Sequence, residues 1–223
     1  ILSFEEITRL SKIFISLGVK KIRLTGGEPL VRKDVPELIN SISSINKNID
    51  IAMTTNGYLL KKHAKELYDS GLKRLTVSLD TLDEKIFKEM IGKNFKVNNV
   101  LEGIDEAVKV GFKKIKINSV IKKGVNENSI LDLVDYSRSK NHILRFIEYM
   151  DVGTLNSWSK ENVFSTKNIK EIISKKYKIQ PIDKNYPSET SDRYTFLDNK
   201  GEIGFISSIT NPFCDNCTRA RIT

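Results

Sequence analysis

Apolar and polar positions along this chain switch repeatedly between two rhythms. Ile7, Leu10, Ile13, Phe14 and Leu17 recur at helical spacing, after the capping box Ser3-Phe4-Glu5-Glu6 and before Gly18. Residues 19–24 then read as a strand. A second helix over 35–45 buries Leu38, Ile39 and Ile42, with Asp34 and Glu37 expected as its capping box. Strand patterns return at 50–55, 74–80, 114–121 and 144–150. Between them lie helical patterns at 61–70 and 99–110, and a short helix carrying Phe87, Met90 and Ile91, with Thr81 and Glu84 as its expected cap. A further helix holds Ile130, Leu133 and Val134, and Asn126 is its expected cap. Five strands alternating with helices imply parallel strands joined by helical crossovers. Polar residues and glycines recurring at the strand ends favour a barrel-like, partly open sheet over a doubly wound one.

Beyond Met150 the rhythm breaks. A loop containing Trp158 leads to a helix over 167–177 and short strands near Ile179, at 193–196 and at 202–206. Asn199-Lys200-Gly201 makes a hairpin of the last two. The pattern predicts a boundary that divides 1–154 from a smaller α+β region, 155–223.

Composition changes this picture little. With 39% hydrophobic and 29% charged among 223 residues, the chain reads as an ordinary folded protein. Lys and Glu interrupt every apolar stretch before it reaches the length of a membrane span, so no membrane is expected. Ile1 is not an initiator methionine, and the sequence reads as a piece beginning just before a helix. The net charge of +9 comes from scattered lysines, as in Lys61-Lys62 and Lys122-Lys123, with no arginine-rich arm. That suits a solvated surface, and no nucleic-acid partner is expected.

Two stretches carry candidate chemistry. The first runs Lys21-Ile22-Arg23-Leu24-Thr25-Gly26-Gly27-Glu28-Pro29-Leu30, an apolar strand entering two glycines and a glutamate stiffened by the following proline. Ligands of α/β proteins bind at such strand ends, although a plain βα connection has the same look. The second is Cys214-Asp215-Asn216-Cys217-Thr218-Arg219-Ala220-Arg221, which holds the chain's two cysteines. Their spacing lets both thiolates grip one iron–sulfur or zinc centre, and two ligands cannot complete it. A structural zinc half-site remains the alternative. In an extended segment Arg219 and Arg221 point to one side, where they hold a polyphosphate or offset thiolate charge.

Together with Thr54-Thr55-Asn56-Gly57, Val77-Ser78-Leu79-Asp80 and Arg145-Phe146-Ile147-Glu148-Tyr149-Met150, these stretches resemble the GTP 3′,8-cyclase family of molybdenum cofactor biosynthesis, within the radical S-adenosylmethionine superfamily. The resemblance covers the whole chain in order. It implies an incomplete (β/α)6 TIM-like barrel, its first strand missing here, closed by the C-terminal region. It also implies two 4Fe-4S clusters and S-adenosylmethionine, which together convert GTP to 3′,8-cyclo-7,8-dihydroguanosine 5′-triphosphate. By the same resemblance, Gly27, Glu28, Ser78, Asn118 and Met150 contact S-adenosylmethionine. Arg23, Thr54, Lys116, Arg219 and Arg221 contact GTP, and Cys214 and Cys217 are ligands of the second cluster. An electron donor, a cyclic pyranopterin monophosphate synthase consuming the product and a cytoplasmic location follow from the family, and a homodimer is compatible with it. The family's Cys-x3-Cys-x2-Cys motif, one phosphate-clamp arginine and the third ligand of the second cluster fall outside these 223 residues, so the chain alone is expected to be inactive. A radical enzyme acting on a peptide and a zinc module binding nucleic acid are the competing readings.

Overall fold

The opening helical pattern folds as α1 (Phe4–Ser16), and both halves of its capping box form: Glu6 N donates to Ser3 Oγ at 3.2 Å and Ser3 N donates to Glu6 Oε2 at 2.8 Å. From there strand and helix alternate as β1 (Lys21–Leu24), α2 (Val35–Ile45), β2 (Asp50–Thr55), α3 (Leu60–Asp69), β3 (Arg74–Ser78), α4 (Glu84–Ile91), α5 (Val97–Val110), β4 (Lys116–Ile121), α6 (Ile130–Ser139) and β5 (Ile143–Glu148). Then follow α7 (Thr166–Ser174), β6 (Ile179–Ile182), β7 (Asp192–Phe196) and β8 (Glu202–Ile206). The computed structural model describes residues 1–92, 94–150, 158–212 and 217–222. The expected boundary at 154/155 lies outside the described residues. Among these residues no helix is long and apolar enough to cross a membrane.

The chain divides into two units. The first comprises Ile1–Ser78, Asn98–Ile115 and Arg221–Thr223. Here β1, β2 and β3 pair in parallel, with Arg23 opposite Ala52 and Thr54 opposite Thr76. Ile51, Ala52 and Met53 are all fully buried, the continuous apolar run of a parallel strand covered on both faces. Ile39 and Ile42 of α2, Leu60 and Leu67 of α3 and Ile104 of α5 complete this core. Each such side chain contributes about 1.5–3 kcal/mol through removal from water.

The second unit comprises Leu79–Val97 and Lys116–Ala220. Strands β4 and β5 pair in parallel, β5 pairs in parallel with β8, and β8, β7 and β6 continue antiparallel. The β7–β8 hairpin is the one the Asn199-Lys200-Gly201 turn predicts. Phe146 and Phe205 face each other in register and stack with centroids 6.4 Å apart. The α/β class and the β/α succession are those expected from the pattern.

Three expected caps differ. Asp34 sits at φ 60° and makes no side-chain cap bond; its carbonyl receives Glu37 N and Leu38 N instead. Pro36 in the first turn has no N–H to satisfy, which lessens the demand for a side-chain acceptor. Thr81 is buried against Ser129, their hydroxyl oxygens 2.7 Å apart, and the cap of α4 passes to Asp83, whose carboxylate accepts Lys85 N and Ile86 N. Glu84 accepts Val97 N at the start of α5. The Asn126 side chain makes no cap hydrogen bond. Its amide donates to Asp80 O at 2.8 Å and Val120 O at 2.9 Å, and its oxygen accepts Lys122 N.

Candidate functional site

In the first unit, strand alternation places Arg23, Thr54, Thr76 and Ser78 on one face of three adjacent strands. Arg23 Nη1 donates to Thr54 Oγ1 at 2.7 Å and to Thr76 Oγ1 at 3.1 Å, reaching from β1 over β2 to β3. The resemblance singled out Arg23, Thr54 and Ser78, and the fold brings them onto this shared face. Thr76 was missed. Its signal is the alternation Arg74-Leu75-Thr76-Val77-Ser78, which puts its hydroxyl beside Ser78.

The glycine loop follows β1. No atom lies within 4 Å of where a Cβ would stand on Gly26 or Gly27, which leaves the backbone open to a ligand. Glu28 begins a single 3-10 turn over Pro29–Val31. Its Oε1 accepts Leu30 N at 3.0 Å and the Thr55 hydroxyl at 2.7 Å, and its Oε2 accepts Asn56 N at 2.6 Å. An ionised carboxylate has about four acceptor positions, so Oε2 keeps one for a further donor such as an ammonium group.

In the second unit, Lys116 and Asn118 share one face of β4, and Asn118 stands in register with Arg145 of β5. Among the described residues the buried Asn118 Oδ1 has no hydrogen-bond partner, which suits a ligand hydroxyl or amine. Asp80 holds β4 in place: Val120 N donates to its Oδ1 at 2.7 Å. Burial pushes the half-buried Asp80 carboxyl up to about 6, although that hydrogen bond pulls the other way.

Arg145 was also missed, and it reaches across β8 to Glu189. Nη2 lies 2.9 Å from Glu189 Oε1, and both side chains are largely buried. Gly204 makes the crossing possible, because a Cβ there would lie 2.2 Å from Ser191 Oγ and 3.3 Å from Arg145 Cγ. A charged residue within the apolar β5 run was the available signal.

Met150 lies two residues past β5 and is 40% exposed. Cys217, Arg219 and Arg221 are exposed, and Cys214 lies outside the described residues. Arg219 Nε donates to Cys217 Sγ at 3.4 Å. Hydrogen bonds from the Arg219 backbone and side chain hold the thiol below its usual range. Among the described residues no three His, Cys, Asp or Glu side chains converge into a metal cage.

The family model for Molybdenum Cofactor Synthesis C matches residues 142–223. GTP 3′,8-cyclase of Acidothermus cellulolyticus is 47% identical over 223 residues, covering all of this chain and 62% of the relative. GTP 3′,8-cyclase of Staphylococcus epidermidis is 44% identical over the same length, covering 65% of that protein. The chain thus spans a little under two thirds of the curated relatives it matches. Among solved structures, methylornithine synthase aligns with a TM-score of 0.61 at 19% identity, over 77% of this chain and 52% of that one. Coproporphyrinogen III oxidase of Escherichia coli, a radical SAM enzyme, aligns with a TM-score of 0.58 at 12% identity, over 77% of this chain and 44% of that one. These two share its fold. The family model for the Radical SAM superfamily matches residues 1–137, more than half of the length, and the chain belongs to that superfamily.

Proposed function

We propose that this chain is the barrel portion and the start of the C-terminal region of a GTP 3′,8-cyclase acting in molybdenum cofactor biosynthesis. The observation that carries the reading is identity of 44–47% along its whole length to curated GTP 3′,8-cyclases. The polar face of the first unit gives it a physical basis. Arg23 and Thr54, joined at 2.7 Å, offer a guanidinium and a hydroxyl to a polar nucleotide.

On this reading the residues of the first unit divide between two ligands. Gly27 and Glu28 take the amino end of S-adenosylmethionine and Ser78 its carboxylate, while Arg23 and Thr54 take GTP. In the second unit, Asn118 and Met150 contact S-adenosylmethionine and Lys116 contacts GTP. Arg219 and Arg221 clamp the phosphates, and Cys214 and Cys217 ligate an iron–sulfur cluster. When bound, a 4Fe-4S cluster other than the one held by Cys214 and Cys217 would supply the electron for reductive cleavage of S-adenosylmethionine. This chain's residues orient the substrates and exclude water. An electron donor, an enzyme consuming the cyclised nucleotide and a cytoplasmic location belong to the same reading.

The test is calorimetric titration with GTP, guanosine and S-adenosylmethionine. GTP is expected to bind more tightly than guanosine, and Arg23→Lys to weaken GTP about tenfold through loss of the planar guanidinium. Absence of GTP binding, or equal binding of GTP and guanosine, counts against the reading.

A further inference from the structure

The end of β5 is fastened at two successive residues, by partners that all belong to the second unit. Glu148, the last residue of the strand, is buried on the face of Leu144 and Phe146. An ionisable group in that position needs several donors, and the fold supplies them. Its Oε1 accepts Thr166 N at 2.9 Å and the Thr210 hydroxyl at 2.6 Å. Its Oε2 accepts Thr210 N at 2.8 Å and Ile209 N at 3.0 Å. Burial pushes the carboxyl up, but these bonds outweigh it and hold the group below its ordinary range.

Tyr149 is held from another side. Its carbonyl accepts the indole Nε1–H of Trp158 at 3.3 Å, and the Lys122 ammonium lies 5.0 Å from the centre of its ring. Lys122 pairs in turn with Val163 in an isolated antiparallel bridge, and Lys123 N donates to Asn162 O at 3.0 Å. The segment 158–166 therefore meets the strand end at Trp158 and again at Thr166.

Met150 comes next, exposed and past the last ladder pair of β5. Its side chain has three rotatable bonds, and chain beyond the end of a ladder opens most readily. A contact made by such a residue costs less ordering when the two residues before it are already fixed.

We propose that Glu148 and Trp158 are positioning residues. The carboxylate of one and the indole N–H of the other hold the chain at 148–149, so that Met150 meets S-adenosylmethionine with little further ordering. The proposal rests on the preceding reading for the ligand of Met150; the fastening itself is a property of the strand end.

The test compares wild type with Trp158→Phe and Glu148→Gln. Phenylalanine keeps a ring and removes the N–H, and glutamine keeps the size but turns an NH2 group toward backbone donors. Calorimetric titration is expected to show S-adenosylmethionine bound about threefold to tenfold more weakly by each variant, with GTP unaffected. On a Met150→Ala background each variant is expected to add less than about twofold. Hydrogen exchange over 148–150 is expected to accelerate in both, with the amides of α6 unchanged. Unchanged exchange over 148–150, equal weakening of GTP and S-adenosylmethionine, or full additivity with Met150→Ala overturns the proposal. If Glu148→Gln fails to fold, Trp158→Phe carries the same comparison. If wild type binds no S-adenosylmethionine, the preceding reading of Met150 fails and the proposal with it, whereas binding with unchanged exchange defeats the proposal alone.

Discussion

Glu28 and Thr55 meet at the ends of neighbouring strands. The Thr55 hydroxyl donates to Glu28 Oε1 at 2.7 Å, and Thr55 Oγ1 accepts Gly57 N at 3.0 Å. The loop that follows β1 and the turn that follows β2 are thereby one hydrogen-bonded unit. Glu28→Gln keeps one carbonyl acceptor and sets an NH2 group against Asn56 N–H. We expect a loss of about 1–3 kcal/mol in urea unfolding, with weaker S-adenosylmethionine binding. An unchanged unfolding midpoint would mean that these bonds form equally well without the carboxylate.

Two glycines separate stability from ligand access. Gly57 has φ 78°, and a Cβ there would lie 2.8 Å from Val77 Cγ1 and 2.9 Å from Val100 Cγ1. Gly57→Ala is expected to destabilise by about 2–4 kcal/mol, combining backbone strain with overpacking. Gly27 has open space around it. Gly27→Ala is expected to leave the unfolding midpoint in place while weakening S-adenosylmethionine at least tenfold. Reversal of the two phenotypes would contradict the assignment of the loop as a ligand cradle.

Asp80 makes the fold sensitive to pH in an unusual direction. Its folded pKa of about 6 lies above the ordinary 3.8, so the native state holds the extra proton between those values. Stability therefore falls as pH rises from about 4 to about 6 and levels off above that. The variant Asp80→Asn keeps a side-chain oxygen to accept Val120 N but carries no charge. It is expected to exceed wild type by on the order of 1–3 kcal/mol at pH 7, with the difference vanishing below pH 4. Parallel pH–stability curves for the two proteins would refute this.

The Arg145–Glu189 pair is a stability element whose halves depend on each other. Side-chain exposure is 13% for Arg145 and 3% for Glu189, and Asn185 donates twice to the other carboxylate oxygen. Glu189→Ala strands a buried guanidinium and is expected to cost about 3–5 kcal/mol. Pairing Glu189→Leu with Arg145→Met should recover most of that loss in thermal unfolding. Additive losses in the double variant would show that the two residues act separately.

The sequence by itself determined what short spacing encodes. The helical stripe of α1, its capping box, the span of β2 and the β7–β8 hairpin all depend on residues a few positions apart, and each formed as its local pattern requires. The glycine loop and the polar ends of the strands were legible for the same reason. Tertiary structure decided which acceptor each donor takes. Asn126 has the chemistry of a helix cap, yet Asp80 O and Val120 O claim its amide because β4 brings them within reach. Thr81 likewise yields its cap to Asp83 once Ser129 is beside it. Glu148 reads as the polar end of a strand, and only the return of the chain 62 residues later puts Thr210 against it. A buried polar group takes whatever partner the fold delivers, and separation along the chain gives no warning of it.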